Sequence, residues 1–350
     1  MTERSRLKLP DMARGIGVLL VILSHLETVN SEVLTWISTF HMPLFFVLSG
    51  VTMSLWSERA ESLKDQVKRR SRSLLIPYFW FSLLYFLLDI GNLLLGKIDG
   101  RRFYENAVSS VTFCGKSVLW YVSALLLSQI LLLILLRVGN RVLRTAAIGV
   151  IAAGCVGISY LWTALYEKQQ AVLLWIPILD VSKAILRAGI VLPFVAVSRA
   201  VALRLKEKKL PAGRLLRLLI GTAALALSIL ISKYHWSDTN NLRLGNPLLY
   251  YAGGIAGSVA VIAIVSVLPE MKVLSRIGRD SLVILAVHLD FYVLWAGTKA
   301  AAFVSRLIPG NITFAVITVS VTVVLGLAAA WVIDRYFPFL MRGRKNGIKR

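Results

Sequence analysis

Two residues eleven positions apart frame the first apolar stretch of the chain, Arg14 and His25 in DMARGIGVLLVILSHLE. At about 100° per residue, eleven positions come within about 20° of three full turns. A helix through this stretch carries both on one face, about 16 Å apart along its axis. An imidazole exchanges a proton near neutral pH, and a guanidinium grips carboxylate or phosphate oxygens. Ionisable groups inside a membrane helix cost about 2.5–3.5 kcal/mol each on insertion scales, which makes them functional suspects. Asp11, one turn before Arg14, is placed to pair with it. The plainer alternative is that Arg14 snorkels to headgroups and His25 hydrogen-bonds a neighbouring helix. That alternative gives no reason for the two to align.

Other polar residues interrupt apolar runs. FHMPLFFVLSG (40–50) places His41 and Pro43 at the outer end of a span, with the proline in a first helical turn. Ser49 and Gly50 lie deep in that span, where small residues admit another helix or a ligand. Ser49 has no acid or histidine at helical spacing to activate it and reads as packing before nucleophile. Arg69 and Arg72 are one turn apart in the loop sequence KDQVKRRSRSLLIPYFW. They form a fork for phosphate oxygens or a basic anchor at the membrane face. Asp180, Lys183 and Arg187 share a helix face; Asp180 partners one cation, so the other needs an acid from another helix or an anionic ligand. Ser281 and His288, seven apart, also share a face. Four histidines without ligand spacing and two cysteines, Cys114 and Cys155, exclude a metal site and a disulfide framework.

The elements that must position these residues follow from composition. The chain is 57% hydrophobic and 17% charged, with a mean hydropathy of +0.71, and its apolar residues fall in blocks of roughly 20, a bilayer's thickness in helix. This predicts an all-α polytopic membrane helical bundle of about ten transmembrane helices, because a lipid-exposed backbone must satisfy its own hydrogen bonds. The expected spans are 12–29, 37–56, 74–95, 118–137, 145–165, 175–197, 215–232, 247–268, 281–298 and 312–333, in one integral-membrane domain over 1–350. Of the 40 Lys and Arg, 28 fall on one side of that arrangement and 9 on the other. The bias predicts both termini cytoplasmic. The net charge of +22 collects in these short loops, so nucleic acid is excluded as a partner and the lipid bilayer takes its place. The basic, apolar N-terminus resembles a signal peptide, but Asp11, Arg14 and His25 interrupt it and no small-residue cleavage site follows. It is read as a helix.

Several of these segments together resemble the membrane-bound acyltransferase 3 family, O-acetyltransferases of bacterial surface and secreted glycans. RGIGVLLVILSH (14–25) has that family's Arg, ten residues, His pattern. FFVLSG (45–50) is similar to its Phe-Phe-x-x-Ser-Gly motif, and RRSR (69–72) contains its Arg-x-x-Arg, followed by LLIPYFW (74–80). LWYVSALL (119–126) and IGRDSLVILAVH (277–288) resemble two further family segments, with Ser123 where Pro is frequent and Leu285 where Tyr is common. FHMPLFF in full looks most like the fucose 4-O-acetylase-related branch. The resemblance implies an acyltransferase of the bacterial inner membrane. Its donor would be acyl-CoA, acetyl-CoA as co-substrate, with no permanently bound cofactor, and its acceptor a glycan or lipid-linked sugar. The donor's phosphates would meet Arg14, Arg69 and Arg72. Its pantetheine arm would lie along span 1, with Gly15, Gly17, Ser49 and Gly50 making room. His25 would be the general base or a covalent acyl carrier, with Arg14 and Glu27 beside it. His41, His288, Ser281, Lys183 and Arg187 would hold the acceptor or supply a proton. Trp36, Trp120 and Tyr121 would stack on a sugar ring or sit in an interfacial belt. The competing reading is a transporter or flippase for a lipid-linked sugar. Such proteins commonly show inverted repeats and paired broken helices, and neither is visible in the sequence.

Overall fold

The computed structural model describes residues 3–55, 61–169, 172–208 and 213–341. Thirteen α-helices and no β-strand occur among them. They are α1 (Glu3–Ser24), α2 (Ser31–Leu55), α3 (Leu63–Leu94), α4 (Gly100–Val111), α5 (Leu119–Leu135), α6 (Arg141–Gln169) and α7 (Ile176–Lys208). α8 (Arg214–Ser232), α9 (Pro247–Val265), α10 (Lys272–Arg279), α11 (Ser281–Val287), α12 (Val293–Val304) and α13 (Asn311–Tyr336) follow. Seven of these, α2, α3, α6, α7, α8, α9 and α13, contain stretches long and apolar enough to cross a membrane. The chain is therefore a multi-pass membrane helical bundle.

Local chemistry moves several boundaries away from the expected ones. Asn30 caps α2, accepting from the Glu32 N–H at 2.7 Å, so the helix starts well before residue 37. Pro43 consequently lies in mid-helix and not in a first turn. Ser62 caps α3, its hydroxyl accepting from the Asp65 N–H at 3.1 Å. Arg69 and Arg72 are therefore on a helix and not in a loop. α4 is a short amphipathic helix that hydropathy did not reveal; Asp99 caps it through the Arg102 N–H at 2.7 Å. α1 ends at Ser24, which leaves His25 one residue beyond the helix. The expected span 281–298 is broken. α11 stops at Val287, the chain turns through 288–292 with Tyr292 left-handed at φ 59°, and α12 resumes at Val293. The Leu294 N–H reaches back to the His288 carbonyl at 2.7 Å to close that turn.

The helices form two units. The first holds α1, α2, α7 from Phe194 onward, α8 to α12, and α13 as far as Trp331. Within it, α1 packs on α2, α9, α10 and α11, and α2 packs on α8 and α9. Met12, Ala13, Phe40, Leu44, Leu48, Val261, Val265 and Leu274 make a core between α1, α2, α9 and α10. Glycine permits the tightest of these approaches. A Cβ at Gly278 would stand 1.7 Å from the Asp11 carbonyl oxygen, and one at Gly257 2.1 Å from Phe40 Cγ.

The second unit holds α3 to α6, α7 as far as Pro193, the 239–243 turn, and the chain from Val332. α3 packs on α4 and α5, and α5 on α6. Tyr78 on α3 donates to the Ser110 carbonyl at 2.8 Å. Lys116 bridges both oxygens of buried Asp89 at 2.8 and 2.9 Å, and Asn106 on α4 donates to the same carboxylate at 3.0 Å.

Candidate functional site

In the first unit, α1 carries a cation near its middle and presents an imidazole just past its C-terminal end. Arg14 Nη1 lies 3.1 Å from Asp11 Oδ1, the pair that the spacing predicts. Its Nη2 donates to Thr52 Oγ1 at 2.7 Å, and that hydroxyl donates to the Leu48 carbonyl at 2.6 Å. Thr52 thus fixes the guanidinium from α2. No sequence pattern marked Thr52, since it lies 38 positions from Arg14.

His25 sits in the turn after α1, its N–H donating to the Ile22 carbonyl at 3.2 Å. The residue is exposed, as is Glu27 two positions on. The ring of His288 lies 5.3 Å from that of His25, centroid to centroid, tilted by 50°. Residues 25 and 288 therefore meet from nearly opposite ends of the chain. His288 is the C-cap of α11 and fully buried. Its Nδ1 is 2.6 Å from the Leu285 carbonyl. A carbonyl only accepts, so Nδ1 carries the hydrogen and Nε2 the lone pair. His41 on α2 is half-buried, with Nδ1 2.8 Å from the Ile37 carbonyl. His25 and Asp238 both act on it electrostatically. Three of the four histidines, taken from α2 and from the ends of α1 and α11, thus share one region.

Other expected residues of this unit have structural neighbours. Ser49 and Ser281 are buried. A Cβ at Gly50 would lie 2.1 Å from Ser198 Oγ and 2.3 Å from the Val195 carbonyl, so the space beside Gly50 is filled by α7. Gly15 faces the Leu274 carbonyl in the same way, at 2.3 Å, and Gly17 faces Phe45 at 2.8 Å. These glycines make room for protein, which corrects the expectation that they make room for a pantetheine arm. Trp36 donates from Nε1 to Ser228 Oγ at 2.9 Å and packs on Phe40.

In the second unit, Arg69 forms an ion pair with Glu61, while Arg72, one turn on, is exposed. Arg187 is buried and almost completely enclosed by oxygen. Its Nε and Nη2 donate to the Asn240 carbonyl at 2.9 and 2.6 Å, Nη2 also to Asn240 Oδ1 at 2.6 Å, and Nη1 to the Cys114 carbonyl at 2.8 Å. The guanidinium lies 5.4 Å from the Trp120 ring centre. Trp120 is buried and stands edge-on to Tyr121. Lys183 donates to Asn241 Oδ1 at 3.2 Å and lies 5.6 Å from the Trp162 and Tyr166 rings. The sequence argument asked for an acid or an anionic ligand to partner these cations. The 239–243 turn and the Cys114 carbonyl bring neutral oxygens to them, and Asp180 acts electrostatically on both. Cys114 lies outside the helices, and burial pushes its thiol up from the ordinary range.

Together these features give an accessible imidazole backed by a buried one, and a tethered guanidinium eleven positions earlier, in the middle of α1. That set can move a proton at a reacting hydroxyl and hold an anion. Among the described residues, no three or more His, Cys, Asp or Glu side chains converge as metal ligands would. No curated protein matches the chain, and no solved structure does. The acyltransferase domain model of the acyltransferase 3 family matches residues 8–331, nearly the whole length. The chain carrying Arg14, His25 and His288 in this arrangement belongs to that family of membrane acyltransferases.

Proposed function

We propose that this membrane acyltransferase moves an acetyl group from cytoplasmic acetyl-CoA to a hydroxyl of a glycan or lipid-linked sugar, in the bacterial inner membrane. The observation that carries the reading is the accessible His25 ring just past the end of α1, beside that of His288, with Arg14 three turns back on α1. Arg14 grips a phosphate of the donor while Asp11 and Thr52 hold its guanidinium in place. From residue 14 to the end of α1 is about 15 Å, roughly the reach of a pantetheine arm.

His25 takes the proton of the acceptor hydroxyl as its oxygen bonds to the thioester carbonyl carbon. The carbon–sulfur bond then breaks. The thiolate leaves with the electron pair, and the imidazolium returns the proton to it or to water. Glu27 and His41 are assigned to the acceptor's side of this step. The transporter reading is not favoured by the family to which the chain belongs.

The test is thiol release from acetyl-CoA by purified protein in nanodiscs, with a panel of glycan acceptors. Release that depends on an acceptor and falls at least 100-fold in His25→Ala is expected. Equal release by both proteins would remove His25 from the chemistry. Donor binding without release, for every acceptor, would reject these acceptors.

A further inference from the structure

We propose that His288 is a positioning residue for His25: its free Nε2 accepts the N–H that His25 turns away from the acceptor, and the two rings share one proton during transfer. The inference rests on the reading in which His25 is the base.

Four observations converge. His288 has no exposed surface, so a sugar does not reach it, and the expectation that it binds the acceptor gives way. Its Nδ1–H is spent on the Leu285 carbonyl, which fixes the tautomer and points a lone pair elsewhere. That Nε2 is buried without a hydrogen-bond partner among the described residues, a state that costs free energy unless a donor arrives. The His25 ring centre lies 5.3 Å from that of His288, so a rotation of the exposed ring brings an N–H to that nitrogen. An exposed imidazole standing against a buried acceptor nitrogen has one ring nitrogen for substrate and one for its neighbour. A base that must become cationic is helped by a partner that accepts its second N–H.

The charged surroundings suit a single added proton. His41 on α2 lies within electrostatic reach of His25, and Asp238, after α8, acts on His41. On α10 and at its end, Arg276 and Asp280 pair with each other at 2.5 Å, at the opposite end of α11. Arg14 is likewise paired, about three turns back along α1. Asp290 follows His288 by two residues. Two adjacent imidazoles do not both take a proton readily, so the pair titrates as one unit.

The protons balance without another reagent. The acceptor proton enters His25 on its substrate side. The N–H on its other nitrogen is held by His288 Nε2, and the positive charge spreads over both rings. When the thiolate leaves, the proton departs from the substrate side and both rings end neutral.

The test uses the full chain in nanodiscs, with His288→Phe, which keeps a ring without nitrogen, and His288→Gln, which keeps an accepting oxygen but takes no proton. The first readout needs no substrate: the rate at which diethyl pyrocarbonate modifies His25 between pH 5 and 8, read by peptide mass. His288→Phe is expected to lower the midpoint of that profile by about one pH unit, as the loss of one hydrogen bond implies, and His288→Gln to restore most of it. The second readout is turnover. His288→Phe is expected to lower kcat about 100-fold with both KM values within twofold, and His288→Gln to recover about tenfold of the loss. A wild-type midpoint and kcat in His288→Phe would overturn the inference and leave His25 as base untouched. A midpoint that depends on His288 in a protein that transfers no acyl group would keep the pair and overturn the acyl-transfer reading.

Discussion

At the scale of single residues, Arg14 shows how a helix-borne cation is made useful. Asp11 on its own helix and Thr52 on α2 hold it from two directions, which removes rotamer freedom before any ligand arrives. On the proposed reading, Thr52→Val raises the KM for acetyl-CoA roughly 3- to 30-fold and leaves kcat within twofold, because one hydrogen bond to a charged group is lost. Steady-state kinetics with the donor varied checks it; an unchanged KM would detach Arg14 from the donor. The Asp11–Arg14 pair was legible because it is local, three positions on one helix. Thr52 was not, since no periodicity links position 14 to position 52. Arg187 makes the same point from the other side. Its spacing from Asp180 and Lys183 was plain in the sequence, but its hydrogen bonds to oxygens of Asn240 and Cys114 were not. A main-chain carbonyl has no residue type by which a sequence reveals it.

At the scale of elements, nine of the ten expected spans have a helix at their centre, because block length and hydropathy are local properties that lipid enforces. Their ends moved wherever a cap decided the matter, at Asn30 and Ser62. The remaining expected span, 281–298, reads as one apolar run. The turn at 288–292 is set by tertiary packing and a left-handed Tyr292, and no Gly or Pro marks it in the sequence. Packing also separates glycines that look alike. Gly257 of α9 meets Phe40, and Gly278 of α10 meets the main chain of α1, whereas Gly149 of α6 has open space. Gly257→Ala and Gly278→Ala are each expected to lower the thermal midpoint in detergent by several degrees, since neighbouring atoms must shift in a packed core. Gly149→Ala should hold or raise it, by the 0.5–1 kcal/mol or so that alanine gains over glycine in a helix. Thermal unfolding of the three variants checks the order, and equal midpoints would refute the close approaches.

For the whole molecule, the family and the membrane class were both legible, the first from ordered motifs and the second from composition. Orientation rests on the distribution of Lys and Arg. It predicts that Lys64→Cys, at the start of α3, faces the cytoplasm and Arg306→Cys, after α12, the outside. An impermeant maleimide should label Arg306→Cys in intact cells and Lys64→Cys only after the membrane is opened. Native Cys114 is buried, and half-buried Cys155 is replaced by Ala in both variants. The reverse pattern would invert the orientation and move the donor to the other face.

The pairing of His25 with His288 has a consequence in time. The two positions are 263 residues apart, and chains are made at about 5–20 residues per second. A growing chain therefore carries the first histidine for between about 13 and 50 s before the second exists. During that interval the ribosome-bound protein can insert α1 and α2 and expose the first imidazole without its partner. On the proposed reading, the base lacks its positioning partner until α11 has been made.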